Sequence, residues 1–237
     1  MKYYQLTKHE NTATLYIFGD IVDDVFSDGV CALSFAYDLE QLGEVDSIDV
    51  FINSYGGSVS QGFSIYNQLK NHPAKVRTIC NGFACSIASV IFLAGDERIM
   101  QGASLLMIHN PWTMSCGNAN ELRKTADDLD KMGQVSVDLY CQITGLDEST
   151  IKEMMDKETW LSASDALELG FATDIIKNES SEPLSVVQSV RTSLINRILS
   201  SQQHMMIPEE PEEQKDPEEP TEKASMDAIN NFLKIFK

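Results

Sequence analysis

Between positions 12 and 80 the chain switches repeatedly between two hydrophobic periods. The run at 12–21, TATLYIFGDI, is rich in β-branched and aromatic residues, and 48–52 and 75–80 repeat that character, which predicts strands. Between them, 27–42 carries Leu33, Ala36 and Leu39 and 58–69 carries Phe63, Tyr66 and Leu69 at helical spacing, the mark of amphipathic helices. Strand and helix in alternation predict right-handed βαβ units and a mostly parallel sheet. Further on, SIASVIFLAG at 86–95 reads as a buried helix ending at Gly95, followed by short strands at 97–100 and 104–108. A long amphipathic helix fits 118–144, with Leu122, Ala126, Leu129 and Met132 on one face and Arg123, Lys124, Asp127 and Asp128 turned outward. A short helix fits 148–155, and the core is expected to end near Ile176.

The pattern lapses beyond about Asn178. The segment IPEEPEEQKDPEEPTEK at 207–223 alternates proline and glutamate with almost no apolar residues, so it cannot offset its ordering entropy and is expected to be disordered. The last residues regain a helical stripe through Met226, Ile229, Phe232, Leu233 and Phe236, which suits either a weakly helical tail or a docking peptide. The expected organisation is a core domain at 1–177, a linker at 178–224 that is acidic and disordered from about 207, and a short amphipathic helical segment at 225–237.

Charge narrows the partners. A formal net charge of −18, from 36 acidic against 18 basic side chains, repels phosphate backbones and anionic lipid surfaces, so neither nucleic acid nor a membrane is expected as a partner. No apolar stretch approaches the roughly 18 residues of a membrane span, and the N-terminus lacks the apolar core of a secretory signal. Five cysteines without a C-x-x-C pair read as buried free thiols in a reducing compartment, so the cytoplasm is the expected location. The four histidines, His9, His72, His109 and His204, show no ligand spacing, and neither a metal nor a cofactor is expected.

The stretch NGFACSIASV, at 81–90, sets the polar Ser86 among small residues where an extended run meets a helical one. A serine becomes a nucleophile when a base takes its proton and donors stabilise the oxyanion. If the helix starts near Ser86, the Ile87 amide is a first-turn N–H without an intrahelical partner, at the positive end of the helix dipole. Gly82, Ala84 and Ala88 leave room for a substrate backbone. In INSYGGSV, Gly56 and Gly57 follow a strand and permit positive φ and close backbone approach, a second source of donors; alone, they read as a tight turn. His109 is the candidate base, because LLMIHNPW ends an apolar strand with it before turning at Pro111, whereas His9 falls in a polar N-terminal loop, His72 in a turn and His204 in the tail. Asp156 and Glu158, in MDKETWLSA, are both candidates for the carboxylate that orients the histidine.

The segments INSYGGSV, GFACSIAS, MIHNPW and TWLSASDALELGFATD, in this order across 12–176, resemble the Clp protease proteolytic subunit family. The resemblance implies an α/β ClpP/crotonase fold, built of repeated ββα units with a mostly parallel sheet and packed helices, and serine endopeptidase activity without a cofactor. It implies Ser86 as nucleophile, His109 as general base, the Gly57 and Ile87 amides as the oxyanion hole, and Glu158 as the orienting carboxylate, with Asp156 as the alternative. It also implies a homo-oligomeric ring, a heptamer or tetradecamer, docked through the helix from Asn118. GVCALSFAYDLEQLGEVDSIDVFINSYGG and HNPWTMSCGNANELRKTADDLDKM are most similar to the phage head maturation branch, which points to capsid or scaffold chains as substrates. The N-terminal segment departs from the family's axial loops, which leaves the need for an ATPase partner open. Cys85 stands where a small residue is usual, and is read as packing. Two other readings remain: an acyl-CoA hydratase or isomerase of the crotonase type, and a non-catalytic capsid assembly module.

Overall fold

The structure, a computed structural model, describes residues 6–9 and 11–176; the tail segments discussed above lie outside the described residues. Strands β1 (Leu6–His9), β2 (Thr12–Phe18) and β3 (Ser47–Ser54) are joined by helix α1 (Ala32–Leu42) between β2 and β3. Then follow α2 (Val59–Lys70), β4 (Lys75–Cys85), α3 (Ile87–Phe92), β5 (Glu97–Gln101) and β6 (Leu105–Ile108). The chain continues through α4 (Ala119–Thr144), α5 (Glu148–Asp156), β7 (Thr159–Ser162), α6 (Ala163–Glu168) and β8 (Asp174–Ile176). All these strands form one sheet in the order β1-β2-β3-β4-β5-β8, with β6 pairing off this path to both β4 and β7. The pairings are parallel except β1–β2 and β6–β7.

Period-2 patterning decides which face is covered. Leu15 and Ile17 on β2 and Ile48, Val50 and Ile52 on β3 are fully buried, while Tyr16 and Phe51 on the opposite face are half-buried and stack at 5.3 Å. Each aliphatic side chain taken wholly from water contributes about 1.5–3 kcal/mol, so this face fixes the register: a slip of one residue would turn the whole set outward. Helix α3 packs on β3, β4 and β6 and against α2 and α4, and every one of its residues is buried. That explains the unbroken apolar run IASVIF. Among the described residues no helix is long and apolar enough to cross a membrane.

Several boundaries differ from expectation. Helix α1 starts at Ala32, five residues after the expected Ser27, because 20–30 is held as a loop: the Val22 N–H donates to Val30 O, the Val30 N–H donates to Asp20 O, and Ile21 bridges to both Val30 and Gly57. Strand β2 stops at Phe18, and His9 lies on β1, not in a loop. Strand β4 does not stop at Cys80 but runs on through Asn81–Cys85. The extra length is made by tertiary pairing: 77–80 pairs with β5, whereas 83–85 pairs with β6, so β4 forks between two neighbours. Opposite the fork, the β3 register jumps between Ile52 and Ser54, and Asn53 Oδ1 accepts the Phe83 N–H at 3.0 Å.

This bulge corrects one reading of the small residues. A Cβ at Gly82 would come within 2.5 Å of Asn53 Oδ1, and Ala84 and Ala88 are fully buried. Their bareness serves the bulge and the core, not a substrate. Gly62 illustrates the same point between helices: a Cβ there would meet Ile87 Cγ1 at 2.1 Å. In an exposed helix Gly→Ala gains about 1 kcal/mol, but overpacking costs about 1–3 kcal/mol. Gly62→Ala is therefore expected to lower the melting temperature; a raised one would show that α2 and α3 separate freely.

Candidate active site

The fork of β4 brings the chemistry together. Ser86 directly follows β4, His109 directly follows β6, and Glu158 directly precedes β7. Strand β6 lies between the other two, with Cys85 opposite Met107 in parallel and Ile108 opposite Thr159 in antiparallel pairing. Neighbouring strands lie about 4.8 Å apart, so residues just beyond these ladder ends become side-chain neighbours at one edge of the sheet. Gly56 and Gly57 follow β3 at the same carboxyl edge, where ligands of parallel sheets bind.

His109 Nε2 lies 2.8 Å from Ser86 Oγ. An imidazole at that distance can take the hydroxyl proton. Glu158 Oε2 lies 3.6 Å from His109 Nδ1; the histidine side chain is 16% exposed and the glutamate 58%. Asp156, the alternative carboxylate, instead accepts a 2.7 Å hydrogen bond from Asn110 Nδ2. The two acids diverge because α5 ends at Asp156, after which the chain turns sharply: Glu158 adopts φ 48° and donates its N–H to Met155 O at 3.1 Å.

Ser86 has φ 55° and ψ −128°. Among the described residues, Ser86 and Glu158 are the non-glycine positions with positive φ. Such conformations cost about 1–3 kcal/mol each and persist only where the surroundings impose them. Around Ser86 they do: its N–H donates to Met107 O at 2.9 Å, and its carbonyl accepts from Ser89 N at 3.0 Å and from Ser89 Oγ. Ser89 Oγ in turn lies 2.7 Å from Tyr140 Oη, and both side chains are buried. Sequence reasoning missed Ser89 and Tyr140; the one local signal is a hydroxyl in an otherwise apolar helical run.

Ile21 donates to Gly56 O at 2.8 Å and accepts from Ser58 N at 2.8 Å. In such a parallel bridge the intervening Gly57 N–H faces away from Ile21. Among the described residues neither the Gly57 nor the Ile87 amide donates a hydrogen bond to another protein group. A Cβ at Gly56 would lie 2.8 Å from Ser86 Cβ and 3.2 Å from Ile87 N, and one at Gly57 would lie 2.2 Å from Ile21 O. Only glycines allow this approach. Helix α3 spans six residues, so its dipole adds little to what the free amides supply directly.

A cavity of about 620 Å³ is lined by Ser86, His109 and Gly57 together with Asp20, Asp23 and Asp24, and among the described residues no lysine or arginine lines it. Hydrogen bonds from the Ser27 side chain and the Phe26 amide hold the Asp24 carboxyl below its ordinary range. The cleft is therefore negative. These three aspartates were not among the expected site residues: Asp20 falls at the end of the strand expected over 12–21, and Asp23 and Asp24 fall between it and the helix expected from Ser27.

Cys85 is fully buried, and its thiol is pushed up to about 12 by burial first, then by nearby Cys80 and Glu158. Cys31 and Cys80 are also buried, but Cys116 is exposed, contrary to the expectation of buried thiols. The thiolate is the nucleophile. Iodoacetamide at pH 8 is therefore expected to label Cys116 and spare Cys85 until the protein is denatured; peptide mapping of the labelled chain checks this. Among the described residues no group of three or more His, Cys, Asp or Glu is placed to hold a metal ion.

The chain matches the family described as Clp protease over residues 3–179. It is 31% identical over 180 residues to the ATP-dependent Clp protease proteolytic subunit 2 of Treponema denticola, covering 75% of this chain and 88% of that one. It is 28% identical over 167 residues to the ATP-dependent Clp protease proteolytic subunit of Borreliella afzelii, covering 70% and 83%. With its mostly parallel α/β sheet, the chain belongs to the Clp protease family and is a serine-type endopeptidase.

Proposed function

We propose that Ser86 is the nucleophile of this endopeptidase, with His109 as general base, Glu158 as the carboxylate that orients it, and the Gly57 and Ile87 amides as the oxyanion hole. The observation that carries this is the 2.8 Å contact between His109 Nε2 and Ser86 Oγ inside the cleft that Gly57 also lines. In this mechanism Nε2 accepts the serine proton as Oγ attacks a peptide carbonyl. The negative charge that develops on the carbonyl oxygen is taken up by the two amides, each worth about 10²–10³ in turnover for a well-aimed donor. The imidazolium then gives its proton to the leaving amine. Water, with His109 again as base, hydrolyses the acyl-enzyme. A crotonase-type hydratase would make no use of a serine–histidine pair, and a non-catalytic assembly module would need neither.

The substrate is proposed to be a capsid or scaffold chain, processed during phage prohead assembly. Support comes from the similarity of GVCALSFAYDLEQLGEVDSIDVFINSYGG and HNPWTMSCGNANELRKTADDLDKM to the head maturation branch. The working form is proposed to be a ring in which α4 docks against another copy. Leu122, Met132 and Val135 on that helix are exposed, and their burial would favour association. Sedimentation should give a mass several times 26.4 kDa; a monomer across working concentrations would remove the ring. Co-expression with capsid and scaffold chains, followed by mass spectrometry of new termini, should show cuts made by the wild type and absent with Ser86→Ala. Identical termini in both would overturn the nucleophile; no cut in either capsid or scaffold would overturn the substrate.

A further inference from the structure

The Ser86–Ile87 peptide is a single planar unit, and in a trans peptide the carbonyl and the following N–H point in opposite directions. Whatever holds the Ser86 carbonyl therefore aims the Ile87 amide. Two groups hold it, and both belong to Ser89: the backbone N–H at 3.0 Å and the side-chain hydroxyl. A backbone carbonyl can only accept, so the one proton of Ser89 Oγ is spent on Ser86 O. The 2.7 Å contact between Ser89 Oγ and Tyr140 Oη must then be a bond that the tyrosine donates. The result is a directional relay, Tyr140 O–H to Ser89 O–H to Ser86 C=O.

We propose that Ser89 and Tyr140 are positioning residues that lock the Ser86–Ile87 peptide with its N–H directed into the cleft. This rests on reading the Ile87 amide as an oxyanion donor. Three features set the pair apart from an ordinary serine bonding back within its helix. First, the peptide it holds is strained: Ser86 sits at φ 55°, and without a restraint the plane would relax by rotating toward commoner angles. Second, the relay is shut off from bulk solvent, because Ser89 is fully buried and Tyr140 is 2% exposed, so bulk water does not compete for its hydroxyls. Third, Tyr140 comes from α4, a different helix, and is itself wedged against the Phe171 ring at 5.7 Å. Burial raises the tyrosine's pKa, so the phenol keeps its proton across working pH. A chain of bonds in a low-dielectric interior also polarises each member, which stiffens the last bond onto the carbonyl.

The test separates aiming a donor from supporting the fold. Ser89→Ala should lower kcat on a neutral peptide substrate about tenfold, a fraction of the 10²–10³ lost when an oxyanion donor is removed outright, with KM unchanged. The affinity of a peptide boronic acid, whose tetrahedral adduct with Ser86 Oγ presents the oxyanion, should fall by the same factor, while that of the cleaved product peptide should not. Tyr140→Phe should show a smaller loss of the same kind in the wild-type background and none in the Ser89→Ala background, since it acts through Ser89. Melting temperatures of all variants are recorded alongside. Equal loss of boronic acid and product affinity, or a Tyr140→Phe loss that persists in the double variant, would overturn the proposal. So would an unchanged kcat in Ser89→Ala while Ser86→Ala abolishes turnover, which leaves the nucleophile standing. Full activity in Ser86→Ala would instead remove the reading on which the proposal rests.

Discussion

Ser86→Ala yields a folded, assembled chain that no longer cleaves peptide bonds. The hydroxyl has one side-chain partner among the described residues, His109, so removing it leaves no buried polar group in the core unpaired. Loss of a triad nucleophile strips away most of the catalytic gain and leaves about 10³–10⁴ over the uncatalysed reaction, the share supplied by binding and the oxyanion donors. A fluorophosphonate probe should mark the wild type at Ser86 and fail to mark the variant. Turnover within an order of magnitude of wild type would exclude Ser86.

Glu158→Gln is expected to cost the next largest share, at least about 10²-fold in kcat, with about 10⁴ as the ceiling set by a buried orienting carboxylate. The ceiling should not be reached here. At 3.6 Å from Nδ1 and 58% exposed, Glu158 contacts the imidazole loosely, and water competes with it for the ring N–H. Glutamine keeps the length of the side chain and the positive φ of the backbone, so the melting temperature should hold while turnover falls. Asp156→Asn keeps a side-chain oxygen that can still accept from Asn110 Nδ2 and loses only the charge that strengthens that bond, so it should cost no more than about tenfold in kcat. If the Asp156 variant suffers the larger loss, the two roles are reversed. If neither variant suffers, His109 is oriented by another group.

The residue types of the candidate site were legible because chemistry limits which groups can serve there. One serine stood at a strand-to-helix junction and one histidine at a strand end, and both stand at the same edge of the sheet. What could not be read was how they meet. The choice between Asp156 and Glu158, two positions apart, depends on where α5 stops and on a left-handed turn at Glu158 that no nearby glycine announces. The fork of β4 was hidden for a similar reason: asparagine and glycine in NGFAC argue locally against a strand, and only pairing with β6 and the Asn53 bulge overrides them. The central strands and α2 followed their periods because one face of each is buried, whereas on α1 Phe35 and Leu42 are buried and Leu33 is exposed, and on α4 the stripe through Leu122 and Met132 is exposed while Val137 and Tyr140 face the core. The loop at 20–30 followed no period, since backbone bonds to Ile21 hold it and side chains do not encode them.

The close approach at Gly57 also bears on how such an enzyme can drift over generations. A methyl group there would meet the Ile21 carbonyl at 2.2 Å, backbone against backbone, with no flexible side chain to yield. Every substitution at position 57 thus damages the loop and the cleft together, whereas the exposed carboxylate at Glu158 has space to be shortened, lengthened or exchanged. On the role proposed for Glu158, a lineage can retune how His109 is held by small heritable steps. It has no such stepwise route at Gly57, and a mutational library selected for cleavage would return glycine at that position.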